Sequence, residues 1–252
     1  MYVWLDAPIG YITSTMEWCE QNGQDWRDWW QDPSADLLHF IGKDNIVFHC
    51  IIFPILLKEH GGYNLPTNVP ANEFMNLEGD KISTSRNWAV WVTDYLEDFP
   101  EGSDAMRYVL TAIMPEQKDS EFTWSDFRDK VNNELADVLG NFVNRVLVLT
   151  RKYYDGAVPV TPSKEALDAT DRALLETLAA APAKVGDLIA RHRYKEAQLE
   201  AMNVARLGNK YLTEQEPWKL QKTDPVRTAT IMHLTCQVVG NCAVLLEPFL
   251  PQ

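Results

Sequence analysis

The hydrophobic period of this chain changes near residue 100, and that change constrains the fold more than any single motif. Before it, short apolar runs alternate with helix-like stretches. After it, apolar residues recur at steps of three and four over long spans. In the first part, Tyr2–Leu5 reads as a strand ending at Asp6-Ala7-Pro8, and Tyr11–Glu20 reads as a helix stopped by Gly23. Asp25–Gln31 reads as a short helix carrying Trp26, Trp29 and Trp30, and Leu37–Gly42 as a buried strand. Asp44 is placed to cap a helix over 45–60, kinked at Pro54 and ended by Gly61-Gly62. Asn72–Met75 gives one more strand, and this strand–helix–strand order predicts a parallel α/β sheet. In the second part, Asp104–Met114 is helical up to Pro115. Ser125 is placed to cap a long helix to Tyr154, with Leu135, Leu139, Phe142, Val146 and Leu149 on one stripe. A linker at Asp155-Gly156 and Pro159/Pro162 precedes helices over about 164–192, 194–214 and 224–246. Pro182 lies inside the first of these, and Pro217-Trp218 separates the last two. The expected fold class is α/β plus all-α, the second part being an antiparallel helical bundle, with the division at 1–115 and 116–252.

Composition narrows the function classes. The 252 residues suffice for one large or two modest domains, and the net charge of −13 argues against binding nucleic acid through phosphate neutralisation alone. RNA recognition by stacking and base-edge hydrogen bonds stays open. No unbroken apolar run approaches the ~18 residues of a membrane span, and no secretory leader is expected. Met1–Asp6 reads as a strand already in progress, so the chain is expected to open inside a domain. Cys19, Cys50, Cys236 and Cys242 form no C-x-x-C pair, so neither a zinc site nor a disulfide framework is expected, and a reducing cytoplasm is the natural setting.

One loop carries a chemical signal. Asp80-Lys81-Ile82-Ser83-Thr84-Ser85-Arg86 follows Asn76-Leu77-Glu78-Gly79. A lysine among small hydroxyl residues, after a Gly that allows a tight turn, suits a developing polyphosphate charge. Taken alone, the same residues also fit an ordinary solvated loop. The stretch resembles the KMSKS signature of class I aminoacyl-tRNA synthetases in a K-x-S-T-S form, with Thr84 where the second lysine stands.

Two further blocks, Tyr2-Val3-Trp4-Leu5-Asp6-Ala7-Pro8-Ile9-Gly10-Tyr11 and Phe40-Ile41-Gly42-Lys43-Asp44-Asn45-Ile46-Val47-Phe48-His49, extend the likeness to nearly the whole chain. In this order and spacing the three blocks resemble the methionyl-tRNA synthetases. The resemblance implies the second half of a Rossmann-type catalytic domain followed by an anticodon-binding helical domain. It implies a methionine pocket of Trp4, Ala7, Pro8, Tyr11, His49 and Phe53. Aromatic rings suit a polarizable thioether, and a phenolic OH helps reject hydrocarbon isosteres. Core packing is the competing role for Trp4, Tyr11 and His49. The family often has Trp where Phe53 stands and an aliphatic residue where Asn45 stands.

The resemblance also implies ATP binding, with Mg2+, by Gly42, Asp44, Met75 and Lys81. Asp44 takes the ribose hydroxyls or serves as a helix cap. Lys81, Ser83, Thr84 and Ser85 would act on the leaving pyrophosphate. Asn141 and Arg145, one helical turn apart, and Trp218 match readers of the CAU anticodon of methionine tRNA, against the alternatives of a solvated face and a packing plug. No His-x-Gly-His motif occurs, and no inserted zinc-binding knuckle is present. The activity implied is ATP-dependent activation of methionine and its transfer to tRNA. Two rivals stand beside it: a class I synthetase for another apolar amino acid, and a module that binds anticodons without catalysis. The latter is the better expectation for these residues by themselves, because the half that carries the His-x-Gly-His motif is absent and the chain alone is expected to be inactive.

Overall fold

A computed structural model describes residues 7–252 and divides the chain into two compact units. Unit 1 comprises residues up to Phe74 together with Pro115–Ser120, and unit 2 comprises Met75–Met114 and Glu121–Gln252. The strand expected over Tyr2–Leu5 lies outside the described residues.

Unit 1 begins with α1 (Ile9–Asn22), closed by Gly23 in the left-handed region at φ +67°. The short α2 (Arg27–Trp30) follows. The strand expected over Leu37–Gly42 is reduced to β1 (Ile41–Gly42), with an isolated bridge from Leu38 to Asn68. Leu38 and Phe40 are exposed and His39 is buried, the reverse of a strand that hides its apolar face. The helix expected over 45–60 is broken into three registers. A 3-10 turn spans Lys43–Asn45, a π turn spans Phe48–Ile52, and α3 covers Phe53–His60. Gly42, not Asp44, holds the N-cap position. Pro54 has no N–H, and just before it the Phe53 N–H reaches back to Phe48 O in a five-residue register, where a kink was expected. β2 (Ala71–Asn72) pairs parallel to β1, with Ile41 opposite Ala71. Ile12, Trp30, Phe53 and Leu57 form the core of this unit.

The single strand expected over Asn72–Met75 is two strands, because Glu73 N–H donates to Pro115 O between them. β3 (Met75–Leu77) opens unit 2 and turns into β4 (Asp80–Lys81) through Glu78 and Gly79, at φ +49° and +84°. Two successive positive φ values give the hairpin turn that matches strand twist, and Gly79 takes the second at no steric cost. α4 (Val92–Asp98), which has no counterpart in the sequence reading, precedes α5 (Ser103–Ala112) and β5 (Ser120–Phe122), which borders β3.

The long helix expected from Ser125 starts two residues earlier. Thr123 is the cap of α6 (Trp124–Lys130), its hydroxyl accepting from Asp126 N–H at 3.1 Å. A π segment over Val131–Gly140 leads into α7 (Asn141–Tyr154). The helix expected from Lys164 is delayed to α8 (Ala169–Ala190), where Asp168 and Asp171 build a reciprocal capping box. α9 (Tyr194–Gln215), the short α10 (Pro217–Leu220) and α11 (Pro225–Leu246) complete the bundle. By length and apolar composition α11 resembles a membrane span, yet it is packed against α7, α8 and α9. Ile231, Met232, Leu234 and Val238 are sealed there, each contributing about 1.5–3 kcal/mol. Gly208 of α9 lets the Phe142 ring approach so closely that a Cβ would overlap it.

Candidate functional site

In unit 1 the first turn of α1 sets the stage. Pro8, whose fixed φ suits a helix start, is buried at the N-cap, and Tyr11 N–H donates to Pro8 O. Ala7 is exposed, and Trp4 lies outside the described residues. Tyr11 then meets the π turn: its hydroxyl lies 3.1 Å from His49 Nε2, while His49 Nδ1 lies 3.1 Å from Asn45 O. Phe53 packs edge-on to Tyr11 at 6.3 Å. The structure therefore gathers Tyr11, His49 and Phe53 into one aromatic cluster, helped by the π turn that carries His49.

Two members of that cluster were not singled out by sequence. His39 lies 5.3 Å from the His49 ring and 5.7 Å from Phe53, and Trp30 meets Phe53 edge-on at 6.4 Å. His39 is 8% exposed, and its Nε2 is buried with no hydrogen-bond partner. Burial, reinforced by His49, holds its pKa below the ordinary imidazole value, so the ring is neutral. The signal for it was a polar residue inside the apolar run Leu37–Ile41.

Gly42 and Asp44 stand together just beyond β1. A Cβ at 42 would come within 2.8 Å of Asp44 Oδ1, so the bare glycine is what lets the carboxylate fold back. Asp44 is exposed. Lys43 between them is engaged elsewhere in the unit: its ammonium lies 2.5 Å from Glu73 and 2.6 Å from Asp119. Hydrogen bonds to Asp119 and Glu73 raise its pKa. The role of Lys43 is therefore to tie the 115–120 segment into unit 1.

In unit 2 the signature residues sit on the β3–β4 hairpin and the turn after it. Met75 opens β3 and Lys81 ends β4. Ser83 and Trp88 exchange backbone hydrogen bonds at 2.9 Å, closing a four-residue turn that presents Thr84, Ser85 and Arg86 to solvent. Ser83 and Ser85 hydroxyls are 3.2 Å apart, and Arg86 donates to Lys81 O at 3.1 Å. The turn thus concentrates hydroxyls and two cations on an exposed tip, an arrangement able to receive phosphate oxygens.

The helical part brings two of the three expected residues into contact. The Arg145 guanidinium lies 5.6 Å over the Trp218 ring, and Trp218 is 39% exposed. Asn209 and Thr213 of α9 accept from Arg145 at 3.5 and 3.4 Å, and Asn209 also donates to Val138 O in the π segment. Asn141 is exposed at the start of α7 and is not part of that contact network. A planar cation stacked on an exposed indole, edged by an amide and a hydroxyl, offers both a stacking face and polar edges. Among the described residues no group of three or more His, Cys, Asp or Glu side chains is arranged to hold a metal ion.

Comparison with known proteins is consistent across three measures. Residues 1–147 match the family model described as tRNA synthetases class I (M), and residues 161–252 match that described as the anticodon binding domain of methionyl tRNA ligase. Over 251 residues the chain is 57% identical to a methionine–tRNA ligase of Christiangramia forsetii and 59% identical to one of Flavobacterium psychrophilum. Those alignments cover 100% of this chain and 36% of each relative, so the chain spans little more than a third of their length. Mycobacterium tuberculosis methionyl-tRNA synthetase in complex with methionyl-adenylate superposes with a TM-score of 0.85 at 30% identity, covering 100% of this chain and 48% of that one. The architecture is therefore that of a Rossmann-type part joined to an anticodon-domain helical bundle, and the chain belongs to the class I tRNA synthetases of the M group.

Proposed function

We propose that this chain is the part of a methionine–tRNA ligase that carries the methionine pocket wall, the signature loop and the anticodon reader. The observation that carries this is 57–59% identity to methionine–tRNA ligases across its entire length. On this reading Trp4, Ala7, Pro8, Tyr11, His49 and Phe53 enclose the methionine thioether, with His39 as a further wall. Gly42, Asp44 and Met75 hold the nucleoside of ATP. Lys81, with Ser83, Thr84, Ser85 and Arg86, stabilises the pyrophosphate as it leaves, and Mg2+ accompanies the nucleotide. Catalysis of this type rests on positioning and electrostatic stabilisation. Residues 1–115 form the catalytic part and 116–252 the part that reads CAU, in the cytoplasm. Methionine-dependent exchange of pyrophosphate into ATP by the chain tests this directly, and exchange driven equally by valine would overturn the methionine assignment.

A second reading, anticodon binding without amino-acid activation, is favoured by the lack of any His-x-Gly-His sequence in these residues. Binding of a CAU hairpin with no exchange activity is its expected signature.

A further inference from the structure

The hairpin that carries Lys81 also walls a cavity of about 580 Å3 within unit 2. Trp88, Trp91 and Trp124 line it with Tyr95 and Phe99, and Glu78, Asp94 and Asp98 are set among these rings. None of the lining residues is Lys, Arg or His.

The polar tips of Trp88, Trp91 and Tyr95 are already engaged. Trp88 Nε1–H donates to Leu77 O at 3.0 Å, Trp91 Nε1–H to Asn87 Oδ1 at 3.1 Å, and Tyr95 OH to Gly102 O at 2.9 Å. What Trp88 and Trp91 offer a ligand is therefore their ring faces, and Trp88, Trp91 and Trp124 are 40%, 45% and 43% exposed as residues. The carboxylates point to the sign of the ligand. Asp94 and Asp98 stand one turn apart on α4, where like charges repel. Among the described residues neither they nor Glu78 form an ion pair, although Glu78 accepts from the Trp124 backbone N–H at 2.8 Å and Asp94 from the Thr93 hydroxyl at 3.2 Å. An anion is repelled by such a site. A neutral apolar guest strips water from the carboxylates with no return. A cation with an apolar body satisfies both halves, because its charge is attracted by the carboxylates and by the ring faces.

We propose that this cavity binds an organic cation of the alkylammonium class, its methylenes against the indoles and its ammonium against Asp94 and Asp98. The proposal is independent of the ligase reading. Because Trp88 closes the Ser83–Trp88 turn, an occupant also braces the loop that presents Thr84–Arg86.

The test is a titration of the whole chain, reading the Trp88 and Trp91 indole N–H signals by nuclear magnetic resonance, assigned with Trp88→Phe and Trp91→Phe. The probes are cadaverine, the neutral diol of equal length, and lysine blocked at both ends. Saturable shifts with cadaverine alone identify a free amine as the ligand. Shifts with blocked lysine identify a side chain of a partner peptide, and either result supports the alkylammonium assignment. Asp94→Asn/Asp98→Asn should weaken binding by roughly tenfold while leaving the helical content nearly unchanged, because the lost first-turn charge of Asp94 is offset by the relieved repulsion and by removal of a carboxylate from the last turn. Trp91→Leu provides a second, uncharged perturbation. Diol binding as tight as diamine binding, no shift with either amine, or a double variant that binds as well as the parent would each overturn the proposal.

Discussion

Arg227→Met should destabilise unit 2 by about 3 kcal/mol near neutral pH, and the cost should shrink in acid. Asp171 is fully buried at the third position of α8 and accepts from Arg227, from Tyr211 OH at 2.6 Å and from Asp168 N–H at 3.1 Å. Arg227 also reaches Asp168 at 2.9 Å and Gln215 at 2.7 Å, so one guanidinium joins α8, α9 and α11. Breaking a buried pair from one side costs about 3–5 kcal/mol. Tyr211 and the Asp168 amide remain as neutral donors, which places this case at the low end. The pH dependence follows from the opposing influences on Asp171. Burial pushes its carboxyl upward, but hydrogen bonds from Arg227, Tyr211 and Asp168 outweigh that, and the net pKa is lowered. In the parent, this stability is present above the unfolded carboxyl value of about 4 and is lost as pH falls through the lowered folded value. Without Arg227 burial dominates, the folded pKa rises above the unfolded one, and the variant regains stability as pH falls toward about 5. Urea unfolding followed by helical circular dichroism at both pH values is the assay. A cost under about 1 kcal/mol near neutrality, or one independent of pH, would refute this reasoning. The double variant Asp171→Leu/Arg227→Met should recover most of the loss.

On the proposed ligase reading, Lys81→Ala should lower methionine-dependent pyrophosphate exchange by roughly 10²–10³-fold while methionine affinity, read by calorimetry, stays within about twofold. Equal losses in both would remove Lys81 from that role. Gly208→Ala should destabilise by about 1–3 kcal/mol through overlap with Phe142, whereas an unconstrained helix position would gain up to about 1 kcal/mol, so a thermal melt decides by sign. His39, held neutral by burial and by His49, should make unit 1 lose stability as pH falls below about 6.5, with a slope of at most about 1.4 kcal/mol per pH unit. His39→Phe should flatten that slope, and an unchanged slope would show that another group titrates.

The elements that were legible in the sequence are those governed by local rules. Gly23 ended α1, Gly79 supplied the tight turn before Lys81, and the helices expected over 194–214 and 224–246 match α9 and α11 to within a residue, all from residue type and spacing. The two misplaced helix starts were legible by the same rules applied more strictly. Thr123 and Asp168 each have an aspartate three residues on, which Ser125 and Lys164 lack. The π segments over 48–52 and 131–140 were not legible, because a shift to a five-residue register leaves the apolar period almost unchanged over so few turns. Within the candidate sites, Tyr11, His49, Arg145 and Trp218 came from resemblance, and the structure adds their contacts. Asn209 and Thr213 were missed because tertiary packing alone brings them to Arg145, whereas His39 left a signal, a polar residue within the apolar run Leu37–Ile41, that was not weighed. Arg227 and Asp171 are separated by 56 positions and no local pattern links them.

The central proposal, that this chain reads methionine tRNA through Asn141, Arg145 and Trp218, is tested most directly by its affinity for an RNA hairpin with a CAU anticodon against the same hairpin carrying GAU. The account predicts at least about a tenfold preference for CAU, reduced roughly tenfold in absolute affinity by Trp218→Ala, since stacking one base on an aromatic ring is worth about 1–3 kcal/mol. Equal affinity for the two hairpins, or a Trp218→Ala chain that binds CAU as the parent does, would contradict it.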